Sequence, residues 1–150
     1  MEVARLRAFL RTHQHIALDT CIFIYQWEAN PQYSPLTNLI FSSMEQSSVA
    51  AVTSTITMTE LLVHPYRSHD VLRTNELFGL LSTCPNLEWV APDLDIAALA
   101  AEIRALHRLR TPDALQAATA VHARATAFLT NDPVFQRITD FETLILDDFL

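Results

Sequence analysis

Five short apolar runs punctuate the chain: HIALD (15–19), SVAAVTS (48–54), LEWVA (87–91), ATAFLT (125–130) and TLILD (143–147). Each is nearly continuous rather than alternating in and out, the pattern of strands buried on both faces. The stretches between them carry helical spacing. A lead-in helix is predicted over 3–12 and a helix over 21–29, started at Asp19-Thr20 and stopped at Asn30-Pro31. Further helices are predicted from Ser34-Pro35 to about Gln46 and over 55–66, the latter ending at Pro65. Others are expected over 69–83, 92–108 and 112–124, with a short one over 132–138. The most regular is 92–108, where Ile96, Leu99, Ile103 and Leu106 form one apolar stripe. The helix over 112–124 has alanine at 114, 117, 118, 120 and 123, which allows close packing on a sheet.

Strands alternating with helices specify an α/β fold: a central, mostly parallel sheet of about five strands, covered on both sides, with right-handed crossovers. The 150 residues fit one domain, 1–150. In such sheets, sites lie beyond the C-terminal ends of the strands. Asp19 ends the first strand, Asp132 follows the fourth, and Glu60 lies about a turn into the helix after the second. Asp113 begins the helix that feeds the fourth strand, which places it at the wrong end of the sheet. It joins the other three only if the helix pair 92–108 and 111–124 folds back over the C-terminal edge.

Composition removes several chemistries. The only glycine, Gly79, leaves nothing from which to build a phosphate loop or a dinucleotide fingerprint. All ten basic residues are arginine, so lysine Schiff-base chemistry is excluded. Cys21 and Cys84 lie far apart and read as free thiols. The six histidines show no zinc-type spacing. No run is long enough to span a bilayer, and the first fifteen residues have no signal-type apolar core, so a cytoplasmic protein without membrane contact is expected. The formal net charge of −7 argues against a general nucleic-acid coat and suits a basic partner segment. It leaves a metal-dependent nuclease open, because two bound divalent cations would offset four of the negative charges.

Each acid also has a plain structural reading. Asp19 and Asp132 suit helix caps, Asp113 suits a helix dipole, and Glu60 suits an exposed helix face. As a set, beside buried strands and helix starts, they would repel one another unless protonated or bound to a cation. The cation that fits is hard and oxygen-seeking: magnesium, with manganese the alternative.

The segments ALDTCIFIY, TMTELL, LRTPDALQAATA and FLTNDPVF, in this order over nearly the whole chain, resemble the PIN domain, and within it the VapC-type ribonuclease toxins of toxin–antitoxin pairs. That resemblance implies a three-layer α/β/α sandwich and a metal-dependent endoribonuclease. It makes Asp19, Glu60, Asp113 and Asp132 both the catalytic and the metal-ligating residues, with Thr130 and Asn131 in support. The products implied carry a 5′-phosphate and a 3′-hydroxyl. It also implies a VapB-like antitoxin, with an apolar helix and often a basic residue aimed at the acids, an RNA substrate, and a homodimer. Phe23, Tyr25, Trp27, Leu39 and Phe41 either line the antitoxin groove or belong to the core. Arg108 and Arg110 either hold substrate phosphate or end a helix in solvent. Gln116, one turn after Asp113, is given a bland role rather than a substrate contact. Two positions depart from the pattern. Many relatives carry a further aspartate where Val134 stands, and serine or asparagine where Cys21 stands. The competing reading is an inactive PIN-like module that binds an antitoxin or RNA without cutting. A haloacid-dehalogenase-like phosphatase is set low: it needs Asp-x-Asp after the first strand, where this chain has Asp19-Thr20-Cys21.

Overall fold

The computed structural model describes residues 2–150. Five parallel strands form one sheet in the order β3-β2-β1-β4-β5. They are β1 (His15–Leu18), β2 (Ala50–Ser54), β3 (Leu87–Val90), β4 (Ala127–Thr130) and β5 (Glu142–Ile145). Seven α-helices surround it: α1 (Glu2–Thr12), α2 (Thr20–Trp27), α3 (Ser34–Glu45), α4 (Thr55–Arg67), α5 (Val71–Ser82), α6 (Leu94–His107) and α7 (Thr111–His122).

The apolar strands divide their side chains between two cores, which makes the three layers. Ile16 and Leu18 of β1, with Ala127 and Leu129 of β4, face Leu6, Ile22, Phe23, Ile40 and Leu81 from α1, α2, α3 and α5. The intervening Ala17 and Phe128 face the other way, onto Ile96 and Ile103 of α6 and Ala114, Ala117 and Ala118 of α7. The alanines of α7 are fully buried, and their small side chains let the helix lie close to the sheet beside Ala17 and Val52. Phe128 stacks on Phe135 at 4.4 Å and on Phe141 at 5.2 Å.

Element ends differ from the sequence expectation at several places, some for a plain physical reason. Helix α4 runs through Pro65 to Arg67 instead of ending there. Pro65 lies in the last turn and is buried, so only one helical hydrogen bond is forgone, and the Pro65 carbonyl accepts from the Asp70 amide. The last strand stops at Ile145, and Leu146–Phe149 form a 3-10 turn. Leu146 is apolar because it is buried in the first core, and Asp147 belongs to the turn rather than to the sheet. The short helix expected over 132–138 is a 3-10 helix, Pro133–Arg137. Phe23 and Leu39 are buried in the core, while Trp27 and Phe41 pack partly buried against it. The aromatic stretch after β1 is therefore mostly interior. Among the described residues no helix is long and apolar enough to cross a membrane.

Candidate functional site

All five strands point the same way, so their C-terminal ends define one edge, and the acids are distributed along it. Asp19 follows β1 and caps α2, its Oδ1 accepting from the Thr20 amide at 2.8 Å. Its other oxygen accepts from the Thr130 hydroxyl at 2.7 Å. Thr130 ends β4 and is fully buried. The Thr130 hydroxyl also accepts from the Asp132 amide at 3.0 Å, so one buried hydroxyl ties the ends of β1 and β4 together. Desolvation raises the Asp19 carboxyl to about 6, against the hydrogen bonds from Thr130 and Thr20, and the nearby charges of Asp113 and Glu60 push it further up.

Glu60 shares Thr20 with Asp19, and Gln116, one turn after Asp113 in α7, donates to Thr57 in the first turn of α4. Helices α6 and α7 pack against each other, with the junction residue Leu109 buried, and the fold-back required of this pair brings the start of α7 to the acidic edge. Pro112 stands in the first turn of α7, where its missing N–H costs nothing. Asp113 takes the Arg110 guanidinium at 3.3 Å, and Arg110 is otherwise exposed. Glu60 accepts from the Thr20 hydroxyl at 2.9 Å. The Asp132 carboxylate turns to its own 3-10 turn and accepts from the Val134 amide at 3.0 Å. Asp132 is thus joined to Asp19 by the Thr130 hydroxyl rather than by direct apposition. Arg108 caps α6 in a left-handed conformation and is exposed.

The donor set suits a hard cation: carboxylate oxygens, one of them desolvated and pushed toward its neutral form, with a single exposed arginine as counter-charge. Among the described residues, however, no three such side chains converge closely enough to enclose a metal ion. Each carboxylate leans on a local donor instead, and a cation would have to draw them together.

Behind the acids lies a relay of hydroxyls. The Gln116 amide donates to Thr57 at 2.7 Å, Thr57 and Thr53 share a 2.7 Å bond, and Thr53 donates to the Leu18 carbonyl at 2.9 Å. Because the Thr53 proton is committed to Leu18, the proton between the two threonines belongs to Thr57. Gln116 is buried and serves this relay. The threonine density of VTSTITMTE is the only sequence signal for Thr53 and Thr57, and Thr20 reads only as part of a helix start. Cys21, beside Asp19, is pushed up to about 12, chiefly by burial, so its thiol is inert as a nucleophile at neutral pH. Asn131 turns away from the four acids. Its amide lies against Asp147 and the hydroxyls of Tyr25 and Tyr33, and of these only Tyr25 is marked by the sequence, as a groove or core residue.

A cavity of about 440 Å³ opens beside Glu60. Phe23, Trp27 and Leu61 give its lining an apolar part, and Glu28, Glu60 and Asp70 line it together with His64 and Arg73.

The PIN domain family model matches residues 16–140. No curated protein sequence matches the chain. Among solved structures, the chain resembles VapBC2 from Rickettsia felis bound to a promoter DNA fragment, at 20% identity and TM-score 0.68, over 87% of this chain and 98% of that one. It resembles VapBC-1 from nontypeable Haemophilus influenzae at 22% identity and TM-score 0.67, over 89% and 98%. DNA-bound VapBC from Salmonella typhimurium matches at 25% identity and TM-score 0.62, over 88% and 98%. With the family model spanning most of the chain and the same α/β/α layers in these structures, the chain belongs to the PIN domain family.

Proposed function

We propose that the protein is a VapC-like toxin, a metal-dependent endoribonuclease held in check by a VapB-like antitoxin. The observation that carries this reading is the Asp19 carboxylate at the C-terminal edge of the sheet, tied through Thr20 to Glu60 and through Thr130 to Asp132. Burying a carboxylate near two others is unfavourable, and a divalent cation is the ligand that reverses the cost. Asp19, Glu60, Asp113 and Asp132 would hold magnesium or manganese, which supplies a water of lowered pKa and charge neutralisation at the phosphate. Thr130 and Thr20 fix the two Asp19 oxygens, and Thr20 also fixes Glu60. One of the carboxylates accepts the proton of the attacking water. The water oxygen bonds to phosphorus as the P–O3′ bond breaks, O3′ takes a proton from solvent, and the products are a 5′-phosphate and a 3′-hydroxyl. Arg110, largely exposed beside Asp113, is placed to meet a substrate phosphate, and Arg108 lies two residues before it.

The cavity beside Glu60 suits the antitoxin, with an apolar part for a helix and acids for a basic residue. A second copy of the chain has the exposed Val71, Leu72, Phe78 and Leu80 of α5 to pack against.

Asp113→Asn tests the assignment. The variant is expected to lose nearly all magnesium-dependent RNA cleavage, and its toxicity on expression, while melting like the parent. Full activity in the variant, or undiminished cleavage by the parent in excess EDTA, overturns it. The alternative is a PIN module that binds an antitoxin or RNA without cutting. It draws on Val134 in place of a further acid and on the carboxylates' lack of convergence. A calorimetric magnesium titration separates the two, since a pure scaffold gives no binding heat.

A further inference from the structure

Thr130 and Asp132 both belong to the acidic edge, and Asn131 between them faces the opposite way. Its side chain is bound at both ends by one residue. Oδ1 accepts from the Asp147 amide at 2.9 Å, and Nδ2 donates to the Asp147 carboxylate at 3.1 Å. The backbone amide of Asp147 can only donate, which fixes the orientation of the Asn131 amide. Two tyrosines close the cluster. Tyr33 donates to Asp147 at 2.6 Å and stacks on Tyr25 with ring centroids 4.0 Å apart, and both hydroxyls lie 3.1 Å from Asn131 Nδ2. The turn that carries Asp147 is anchored from behind, where Arg5 donates to the Asp148 carbonyl at 3.1 Å and lies over the Phe149 ring.

We propose that Asp147 and Asn131 form a positioning pair: the turn Leu146–Phe149, braced by Tyr33, holds the Thr130–Asp132 segment and thereby sets the Asp19 and Asp132 carboxylates for the cleavage reaction. The inference rests on the ribonuclease reading above, and it deepens that reading by naming residues that act on the acids without joining them. The Asp147 carboxylate is engaged by Tyr33 and Asn131, so its role is to hold the segment rather than to ligate. The geometric lever is short. Asn131 is covalently adjacent to the residue whose hydroxyl orients Asp19 and to the residue whose carboxylate completes the set.

The test compares Asp147→Ala, Asp147→Asn and Tyr33→Phe in single-turnover RNA cleavage, with amide hydrogen exchange measured on the metal-free proteins. Asp147→Ala is expected to lower kcat by about 10- to 100-fold, as for other groups that orient metal-site carboxylates, with KM little changed. Asp147→Asn should restore most of the rate, because its carbonyl oxygen still accepts from Tyr33 and Asn131. In the metal-free protein, exchange of the Asp132 amide should accelerate in Asp147→Ala but not in Asp147→Asn, with the amides of β1 and β4 unaffected. An unchanged kcat in Asp147→Ala overturns the inference while leaving the nuclease assignment standing. Equal losses in the alanine and asparagine variants, or a rise in KM alone, also overturn it, since they indicate a ligand or a substrate contact. If the parent does not cleave RNA, the nuclease reading fails, and hydrogen exchange alone decides: unchanged Asp132 protection sinks the pair. If Asp147→Ala does not fold, Tyr33→Phe decides by the same readouts, with smaller losses expected in the same direction.

Discussion

The two edges of the sheet treat their acids in opposite ways. At the N-terminal edge, Glu142 opens β5 and meets His13 Nε2 at 2.7 Å, while the other ring nitrogen of His13 lies 2.9 Å from the Thr126 hydroxyl. Glu142 is largely exposed, so its charge stays hydrated and has a partner. At the C-terminal edge, Asp19 is desolvated, has two acids for neighbours and is held by hydroxyl and amide donors that carry no charge. The first arrangement stitches α1 to β4 and β5 and asks for nothing more. The second is left electrostatically unfinished, and the proposed cation site rests on that difference. The contrast also separates an acid that stabilises the apo fold from one that the fold tolerates.

The sharpest way to break the comparison is Asp19→Asn. The folded-state value of Asp19, about 6, lies above its ordinary value of 3.8. The native protein therefore binds more protons than the unfolded chain between these values, and the contribution of Asp19 to stability is fully present below pH 4 and lost as pH rises through 6. The loss amounts to about 3 kcal/mol by pH 7 to 8. Asparagine does not titrate, so denaturant melts without metal should show the parent falling behind Asp19→Asn by about that amount between pH 4 and pH 7. Magnesium should then raise the parent's melting temperature at pH 8 and leave the variant's unchanged. A pH-independent difference between the two proteins would mean that Asp19 is solvated like any surface carboxylate.

Thr130→Val is the next largest effect. It keeps the shape of a fully buried side chain but leaves an Asp19 oxygen and the Asp132 amide without their shared partner. The expected cost is about 1–3 kcal/mol in a urea melt, and Thr130→Ser should recover most of it. Equal stability of valine and serine at this position would show that the hydroxyl does not join the two strand ends.

The parts of this edge differ in how far sequence alone reveals them. Apolar runs mark the strands, and the strand-end rule puts Asp19 and Asp132 on one edge, because both facts are local. Asp113 needs the fold-back of α6 onto α7, a tertiary event for which the sequence offers only permission. The Asn131 cluster is invisible for a different reason. Tyr33 and Asp147 are 114 positions apart, and neither stands in a periodic or motif context that marks it. Asp147 is further disguised because Leu146 continues the apolar look of the strand after the backbone has turned away at Ile145. Pro65 misleads in the other direction: proline is read as a stop, yet a last-turn proline costs a helix little.

The smallest effect tests the other half of the comparison. Glu142→Gln removes the charge that faces His13 but keeps an oxygen able to accept from the ring. With Glu142 largely exposed, a pair of this kind is worth under about 1 kcal/mol, because water competes for the carboxylate and salt screens what remains. The melt at pH 6 should therefore shift by less than that amount, with the deficit shrinking in high salt. Magnesium should stabilise the variant and the parent equally, because the pair lies across the sheet from the acids. A magnesium response that changed with Glu142 would mean the two edges communicate through the strands. The opposition between a satisfied edge and an unfinished one would then have to be replaced by a single coupled network.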